Sequence, residues 1–144
     1  MPCIRLLLIG KAAPNQQAYF KRCRREAAQN VSFLDHLPQQ QLKEYYQKAK
    51  VHVLPSHFEN IGLASIEAGA MNCNLVVSSK GFISEYLRDE AYYCDPCSEA
   101  SIRTAIEQAA QAPAHDVLQE RIRSDFNWRR SALITKEAYE IVLK

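Results

Sequence analysis

Residues 55–68 read Pro-Ser-His-Phe-Glu-Asn-Ile-Gly-Leu-Ala-Ser-Ile-Glu-Ala, and they follow the short apolar run Val51–Leu54. That run is rich in β-branched residues and a proline follows it, so we predict a buried strand that ends in a loop. Gly62 permits a tight backbone turn, and Leu63 and Ile66 begin the inner stripe of a short helix. The loop therefore brings a helix N-terminus to the carboxyl end of a strand, where parallel α/β sheets bind anionic ligands.

Two carboxylates flank this predicted helix start. Glu59 precedes the helix, and Glu67 lies two turns further on. Paired acceptors of this kind suit hydroxyl-rich ligands such as ribose and sugar rings. The alternative is that both are ordinary solvated glutamates that interact favourably with the helix dipole. The spacing alone does not decide between these two interpretations.

The same stretch resembles the carboxyl-terminal domain of retaining glycosyltransferase family 4, the glycosyl transferases group 1 domain. The family pattern runs from a strand ending in Pro-Ser, through Glu-x-Phe-Gly-Leu, to a second Glu followed by Ala. This chain has Pro55-Ser56, Glu59-Asn60-Ile61-Gly62-Leu63 and Glu67-Ala68. Downstream, three further segments resemble a family strand, a Gly-Gly-x-x-Glu turn and a late Phe-Ser-Trp: Val76-Val77-Ser78, Gly81 to Glu85, and Phe126-Asn127-Trp128. Order and spacing agree from about residue 6 to residue 139.

The resemblance implies a Rossmann-like fold, a doubly wound parallel α/β sheet that forms the carboxyl-terminal half of a two-domain, GT-B type enzyme. The alternation of predicted strands and helices supports the same sheet. We expect residues 1–144 to form a single nucleotide-sugar-binding domain, with a helix from about residue 127 packing back or towards a missing partner domain. Compared with the family, we expect this chain to lack the first strand and helix of the domain, with the Arg and Lys that clamp the donor phosphates.

By the same resemblance, the function is to bind a nucleotide-diphosphate sugar for metal-independent, configuration-retaining sugar transfer. The enzyme is expected to be a glycosyltransferase that is incomplete and weakly active as this isolated chain. No cofactor is expected, and the donor is UDP-, GDP- or ADP-linked. The acceptor, a carbohydrate or lipid, would bind through the missing amino-terminal domain. The alternative is a non-catalytic regulatory or scaffolding module with a degenerate nucleotide site.

The resemblance also assigns roles to individual residues. Glu59 is the expected catalytic residue and would contact the donor sugar near the reacting carbon, while Glu67 would hold the ribose hydroxyls. Groups around Asp35 and His36 would lie near the nucleotide base, although a lone histidine is more often a surface residue. The donor diphosphate and sugar would be bound by Asn60, Ile61, Gly62, Leu63, Lys80 and Gly81. No metal ligand is expected.

Three positions depart from the family pattern. Asn72 stands where the family has a glycine after the helix, Asn74 replaces the usual proline before the next strand, and Phe82 replaces the second glycine of the turn. The first change is tolerable because Asn enters left-handed backbone more readily than most residues. All three changes bear on local geometry more than on function.

Hydrophobic patterning predicts the remaining elements. The predicted strands are residues 4–9, 31–34, 75–79 and 91–94, the first of them fully buried because its apolar run is nearly continuous. The predicted helices are residues 14–29, 38–48 and 84–88, a helix entered near Ser98, a helix around residues 117–122 and a last helix capped by Asn127. The apolar face of the last helix favours self-association.

Composition and charge exclude several classes of protein. The 144 residues are 47% hydrophobic and 24% charged, with a net charge of +2, which is ordinary for a globular domain and indicates no particular partner. No apolar run approaches the ~20 residues of a membrane span. Met1-Pro2-Cys3 leads straight into a predicted strand rather than a signal peptide. We expect a cytoplasmic location, peripheral to the membrane at most in the full-length protein.

Two local features suggest other functions, and both have simpler structural explanations. Four cations lie between residues 21 and 25, but no base-stacking aromatics are interleaved with them, so they indicate a solvated helix face and no nucleic-acid partner. Cys94 and Cys97 have the spacing of a redox or zinc motif. No second Cys or His pair accompanies them at suitable spacing, so we interpret these cysteines as reduced structural thiols.

Overall fold

The computed structural model describes residues 4–114 and 116–143. Its strands are β1 (Leu6–Ile9), β2 (Val31–Leu34), β3 (Val51–Leu54), β4 (Asn74–Ser78) and β5 (Tyr92–Cys94). Its α-helices are α1 (Gln17–Glu26), α2 (Gln39–Lys48), α3 (Leu63–Ala70), α4 (Ile83–Leu87), α5 (Glu99–Gln111), α6 (Asp116–Asp125) and α7 (Trp128–Val142), and Pro14–Gln16 and Arg88–Glu90 form 3-10 turns. All three strand pairings are parallel in these described residues, which confirms the α/β class.

The chain forms two compact units, residues 1–42 and 43–144, and each contains its own hydrogen-bonded sheet. In the first unit, β1 and β2 pair with Leu6 opposite Val31. The Asn30 side chain donates to the Ile4 carbonyl over 2.7 Å and so aligns the starts of the two strands. That residues 1–144 form one domain stays a prediction, and Met1, Pro2 and Cys3 lie outside the described residues.

The prediction that β1 is fully buried is wrong. Leu6, Leu7 and Leu8 are 41%, 38% and 43% exposed. In the described part of this unit, α1 is the one complete α-helix beside the two strands, and a single helix cannot cover both faces of a sheet. The first helix is also shorter than predicted. It ends at Glu26 because Ala27 has extended backbone with ψ 136°.

In the second unit, β4 lies between β3 and β5. Successive β4 residues point to opposite faces of the sheet. Leu75 and Val77 pack in one apolar cluster, with residues of α3 and α6, and Val76 packs in a second cluster with Ala105 and Ala109 of α5. Helices therefore cover both faces of this sheet, as predicted for a doubly wound arrangement.

The two asparagines that depart from the family pattern shape the backbone around β4. Asn72 has a φ of 72°, a left-handed conformation that asparagine tolerates better than most residues. Asn74 is buried, and its side-chain amide donates to the carbonyls of Ala109 and Pro113 over 2.8 and 3.0 Å. It therefore ties the start of β4 to the end of α5, a hydrogen bond that a proline side chain could not make.

The last helix begins as predicted, since the Asn127 side chain accepts a hydrogen bond from the Arg130 amide over 3.0 Å. Its apolar side chains are exposed, Trp128 by 91% and Tyr139 by 66%. Self-association through this face stays a prediction. Among the described residues no helix has both the length and the apolar character that a bilayer crossing requires.

The Arg121–Glu90 ion pair joins α6 to the turn after α4. Arg121 Nε donates to Glu90 Oε2 over 2.7 Å, and Nη1 donates to the Tyr86 carbonyl over 2.8 Å. The two side chains are only 16% and 22% exposed. Breaking such a pair leaves a carboxylate and a carbonyl without their donor in a poorly solvated place.

We therefore expect Arg121→Met to lower the free energy of unfolding by about 2 kcal/mol, less than the cost for a fully buried pair. The matched control is Lys136→Met, which breaks an exposed pair with Glu140 at 3.5 Å and should cost about 0.5 kcal/mol or less. Urea denaturation of both variants measures the difference. Equal midpoints for the two variants would show that the Arg121 pair adds no more stability than the exposed pair.

Candidate functional site

The candidate site is formed by two loops that follow neighbouring parallel strands, residues 55–62 after β3 and residues 79–82 after β4. We call them the site loops. Glu59 and Gly81 form a parallel β-bridge, and the Phe82 amide donates to the Glu59 carbonyl over 3.0 Å. The two loops are therefore joined by backbone pairing beyond the ends of their strands.

Gly81 allows this pairing. Its φ is 94°, which side chains rarely adopt, and a Cβ at this position would overlap the Glu59 carbonyl oxygen and lie 2.8 Å from the Glu59 nitrogen. The clash is with backbone, so a rotamer change cannot relieve it. Glycine is required here for the close approach of the loops.

The Glu59 carboxylate is bound to its own loop at the start of α3. Oε1 accepts from the Gly62 amide over 3.2 Å, and Oε2 accepts from the Ser56 hydroxyl over 3.3 Å. Gly62 itself has a φ of 68° and caps the helix. Among the described residues, the amides of Leu63 and Ala64 have no acceptor. These two amides are thus the helix N–H groups that remain for a ligand.

Glu67 lies two turns along α3 and is half-buried. Burial raises the pKa of the neighbouring Tyr46, and the Glu67 charge raises that pKa further. On the buried side of the same helix, the Ser65 hydroxyl lies 3.2 Å from His52 Nε2. Burial lowers the pKa of His52 to about 4, so this imidazole is neutral near pH 7. The contact between Ser65 of α3 and His52 of β3 is therefore polar but uncharged.

The remaining predicted donor-site residues of this unit are near the same loops. Lys80 is exposed in the second site loop, and its amide donates to the Ser78 hydroxyl over 3.0 Å. Asn60, Ile61 and Leu63 are exposed at or beside the helix start. The structure thus brings Glu59 to Leu63 together with Lys80 and Gly81, while the roles of these residues stay predictions.

Asp35 and His36 lie in the first unit, in the loop after β2, and both are exposed. The His36 amide donates to Asp35 Oδ1 over 2.8 Å, which fixes the turn. Their proposed position near a nucleotide base stays a prediction.

Sequence reasoning missed two side-chain pairs at the site loops. The rings of Phe58 and Phe82 pack edge to face with centroids 6.0 Å apart. His57 Nδ1 lies 3.8 Å from the exposed Cys97 Sγ, whereas Cys94 is buried, so the two cysteines have different surroundings. Among the described residues, no cluster of three or more His, Cys, Asp or Glu could hold a metal ion. The sequence did carry a signal for the aromatic pair, because each site loop contains one phenylalanine, Phe58 or Phe82.

The family model for glycosyl transferases group 1 matches residues 2–124. The chain belongs to this family. It is 31% identical over 114 residues to a glycogen synthase of Mycobacterium tuberculosis (strain CDC 1551 / Oshkosh), which is 74% of this chain and 28% of that protein. It is 36% identical over 88 residues to the O-antigen chain mannosyltransferase RfbU of Salmonella typhimurium, 61% of this chain and 25% of that protein. The chain thus spans about a quarter of the length of these relatives.

Two solved structures have a similar fold. Sucrose-phosphate synthase from Thermosynechococcus elongatus superposes with a TM-score of 0.82 at 24% identity, over 96% of this chain and 38% of that one. The catalytic domain of starch synthase IV from Arabidopsis thaliana, bound to ADP and acarbose, superposes with a TM-score of 0.69 at 17% identity, over 94% of this chain and 32% of that one. The predicted α/β fold of the GT-B glycosyltransferases is confirmed.

Proposed function

We propose that this chain supplies the donor site of a glycosyltransferase and binds a nucleotide-diphosphate sugar at the site loops. The bridge between Glu59 and Gly81 carries the proposal, because it joins a helix N-terminus, a fixed carboxylate and the Lys80 turn in one place. These features suit a ligand that carries both an anionic group and several hydroxyl groups.

The diphosphate would bind at the positive end of α3. The free amides of Leu63 and Ala64 and the Lys80 ammonium supply positive charge there. When the glycosidic bond breaks, negative charge grows on the leaving diphosphate, and fixed donors of this kind stabilise it without a metal ion. By family resemblance, the proposed transfer is metal-independent and retains the anomeric configuration.

The two glutamates would bind hydroxyl groups on either side of the diphosphate. Glu67 would accept from the ribose hydroxyls, and Glu59 would accept from the sugar next to the reacting carbon. Glu59 would keep clear of the phosphates because two negative groups in contact repel each other. Its hydrogen bonds to Gly62 and Ser56 would hold the carboxylate ready for the sugar.

The whole reaction also requires an acceptor. We propose that a carbohydrate or lipid acceptor binds to another part of the full-length protein, and that this protein is cytoplasmic. The isolated chain would then bind the donor but transfer sugar poorly. A turnover assay of the isolated chain with a nucleotide sugar tests this point. Turnover at the rate of a complete enzyme would contradict it.

Calorimetric titration of the chain with UDP, GDP and ADP tests the donor site. We expect one of the three to bind with a dissociation constant between micromolar and millimolar, about −8 to −4 kcal/mol. That result would also identify the base. If none of them binds, the proposal fails for this chain.

Glu67→Gln is expected to weaken the binding of that nucleotide about tenfold, since the ribose hydroxyls lose a charged acceptor. The control is Glu120→Gln, an exposed glutamate on α6 whose loss should leave binding unchanged. Thermal unfolding of both variants verifies that the fold is intact. Wild-type affinity in Glu67→Gln would show that Glu67 does not bind the ribose.

A non-catalytic regulatory or scaffolding module is the second candidate. One observation favours it: the Glu59 carboxylate already has two hydrogen-bond partners in its own loop, as a purely structural glutamate would. The nucleotide titration separates the two functions, because a scaffolding module with a degenerate site binds none of the three diphosphates.

A further inference from the structure

We propose that the outward side of α1 is a docking surface for an anionic lipid bilayer. We call this surface the basic face, and it consists of four side chains: Lys21, Arg22, Arg24 and Arg25. The proposal goes beyond the donor site, whose loops belong to the second unit. The basic face would hold the protein at the surface of a membrane.

The helix gathers these four cations on one side. Successive residues of an α-helix are rotated by about 100°, so the four cations fall within an arc of about 160°. All four are exposed. The opposite side of the helix packs on the sheet of its unit, where Phe20 lies edge to face with Phe33 of β2 at a centroid distance of 5.7 Å. The basic face therefore points away from the sheet and into solvent.

Little negative charge balances the basic face. Arg25 contacts the Glu26 carboxylate at 3.6 Å, in an exposed pair that solvent screens. Within the described part of the chain, the other three cations form no ion pair. Residues 1–42 contain six Lys and Arg against two Asp and Glu, a net charge of +4. Residues 43–144 contain twelve against fourteen, a net charge of −2, so the excess positive charge of the chain belongs to the first unit.

Two of the guanidinium groups lie on aromatic rings. Arg22 Cζ is 5.4 Å from the centre of the Tyr19 ring. Arg24 Cζ is 5.8 and 5.7 Å from the ring centres of Phe20 and Phe33. Such contacts restrict a side chain without neutralising its charge, so less freedom is lost when a phosphate group binds. Both guanidinium groups are thus held ready to donate to the phosphates of lipid headgroups.

A bilayer fits this surface better than a nucleic acid does. Single strands bind in a groove and stack their bases on free aromatic rings. Each ring beside the basic face already carries a guanidinium group, and the side of a single helix is convex. A bilayer requires no groove, since four or more Lys and Arg on an amphipathic helix attract anionic lipids. Tyr19, which is 57% exposed at the edge of the basic face, is also of a type enriched at membrane interfaces.

Vesicle co-sedimentation of the full chain tests the proposal. The vesicles contain phosphatidylcholine alone or with about 30% phosphatidylserine, at about 0.05 M and about 0.5 M salt. We expect binding to the anionic vesicles at low salt, and binding at least about tenfold weaker at high salt or without phosphatidylserine. Equal binding to both kinds of vesicle would overturn the proposal, because an apolar surface would then make the contact. No binding to the anionic vesicles at low salt would leave the basic face as a solvated helix surface and would overturn it as well.

A double variant assigns the binding to α1. Lys21→Gln with Arg25→Gln removes two charges from the basic face. Because each Lys or Arg near an anionic surface strengthens binding about fivefold, we expect a loss of about 25-fold. The matched control is Lys43→Gln with Lys48→Gln, which removes two exposed charges from α2 and should leave binding unchanged. Equal losses in the two variants would overturn the proposal, since binding would then follow net charge alone.

A charge-retaining variant separates charge from structure. Lys21→Arg with Arg25→Lys keeps both positive charges and should bind the anionic vesicles as wild type does. Thermal unfolding of all three double variants verifies that the fold is intact. A loss in the charge-retaining variant as large as that in the Gln variant would contradict an electrostatic contact.

Competition with RNA distinguishes a lipid surface from a nucleic acid. A short single-stranded RNA and a short RNA duplex are each added to the vesicle-bound chain, at a phosphate concentration equal to that of the anionic lipid. We expect neither to displace the chain. Displacement by either RNA would overturn the proposal and assign the basic face to a nucleic acid. Nucleotide binding at the site loops enters none of these measurements, so their outcome is independent of the proposed function.

Discussion

Gly81→Ala should lower the free energy of unfolding by about 3 kcal/mol and abolish nucleotide binding. The added Cβ would overlap the Glu59 carbonyl oxygen, and the φ of 94° is strained for any side chain. The loops would have to separate, which breaks the bridge and its hydrogen bond from the Phe82 amide. Urea denaturation measures the first effect, and calorimetry with the nucleotide that binds wild type measures the second.

Gly10→Ala is the matched control for this variant. Gly10 also has a positive φ, 147°, but a Cβ there would meet no atom within 4 Å. The Gly10→Ala substitution should therefore lower the free energy of unfolding by about 1 kcal/mol through backbone strain alone, without a steric clash. Nucleotide binding should persist in this variant. If Gly81→Ala costs no more than Gly10→Ala and still binds nucleotide, the close approach of the two loops is not needed for the site.

The elements that sequence reasoning placed well are those with strong local signals. Strands β2 and β3 begin and end at the predicted residues, because short apolar runs there are bounded by turn residues and a proline. The Asn127 cap and the Ser98 cap were also correct, since each side chain accepts from the amide three residues on. Boundaries set by backbone torsion alone, such as the end of α1 at Glu26, were missed.

The burial of β1 was missed for a different reason. A continuous apolar run predicts a strand, but its burial depends on how many elements pack against its sheet. Among the described residues of their unit, the three leucines of β1 have β2 as their only strand partner, and they remain exposed. Local sequence carries no information on that packing.

The site shows the same division between local and long-range information. The motif identified the Glu59 to Leu63 loop and the helix start from local spacing. The carboxylate contact to the Gly62 amide follows from an i to i+3 spacing and could have been predicted. The bridge to Gly81 and the ring pair of Phe58 and Phe82 join residues more than 20 positions apart, and pairing at that distance depends on the register of β3 and β4.

His52 should make the second unit less stable in mild acid. Its side chain lies against Tyr46 and Ser65, and burial lowers its pKa from 6.5 to about 4. Between these two values the unfolded chain binds a proton that the folded chain does not, so the free energy of unfolding falls as the pH falls from about 6.5 to about 4. The total loss is about 3 kcal/mol, since each pKa unit corresponds to 1.36 kcal/mol.

His52→Gln should remove this part of the pH dependence, because an amide can still contact the Ser65 hydroxyl but does not titrate. Tyr46 has a raised pKa and stays neutral throughout the range. The comparison of wild type with His52→Gln isolates the contribution of His52. His36→Gln, at an exposed histidine, should keep the wild-type dependence. Urea denaturation at pH 7, 5.5 and 4 tests this prediction. If the free energy of unfolding falls equally with pH in wild type and in His52→Gln, the buried imidazole accepts its proton without loss of packing.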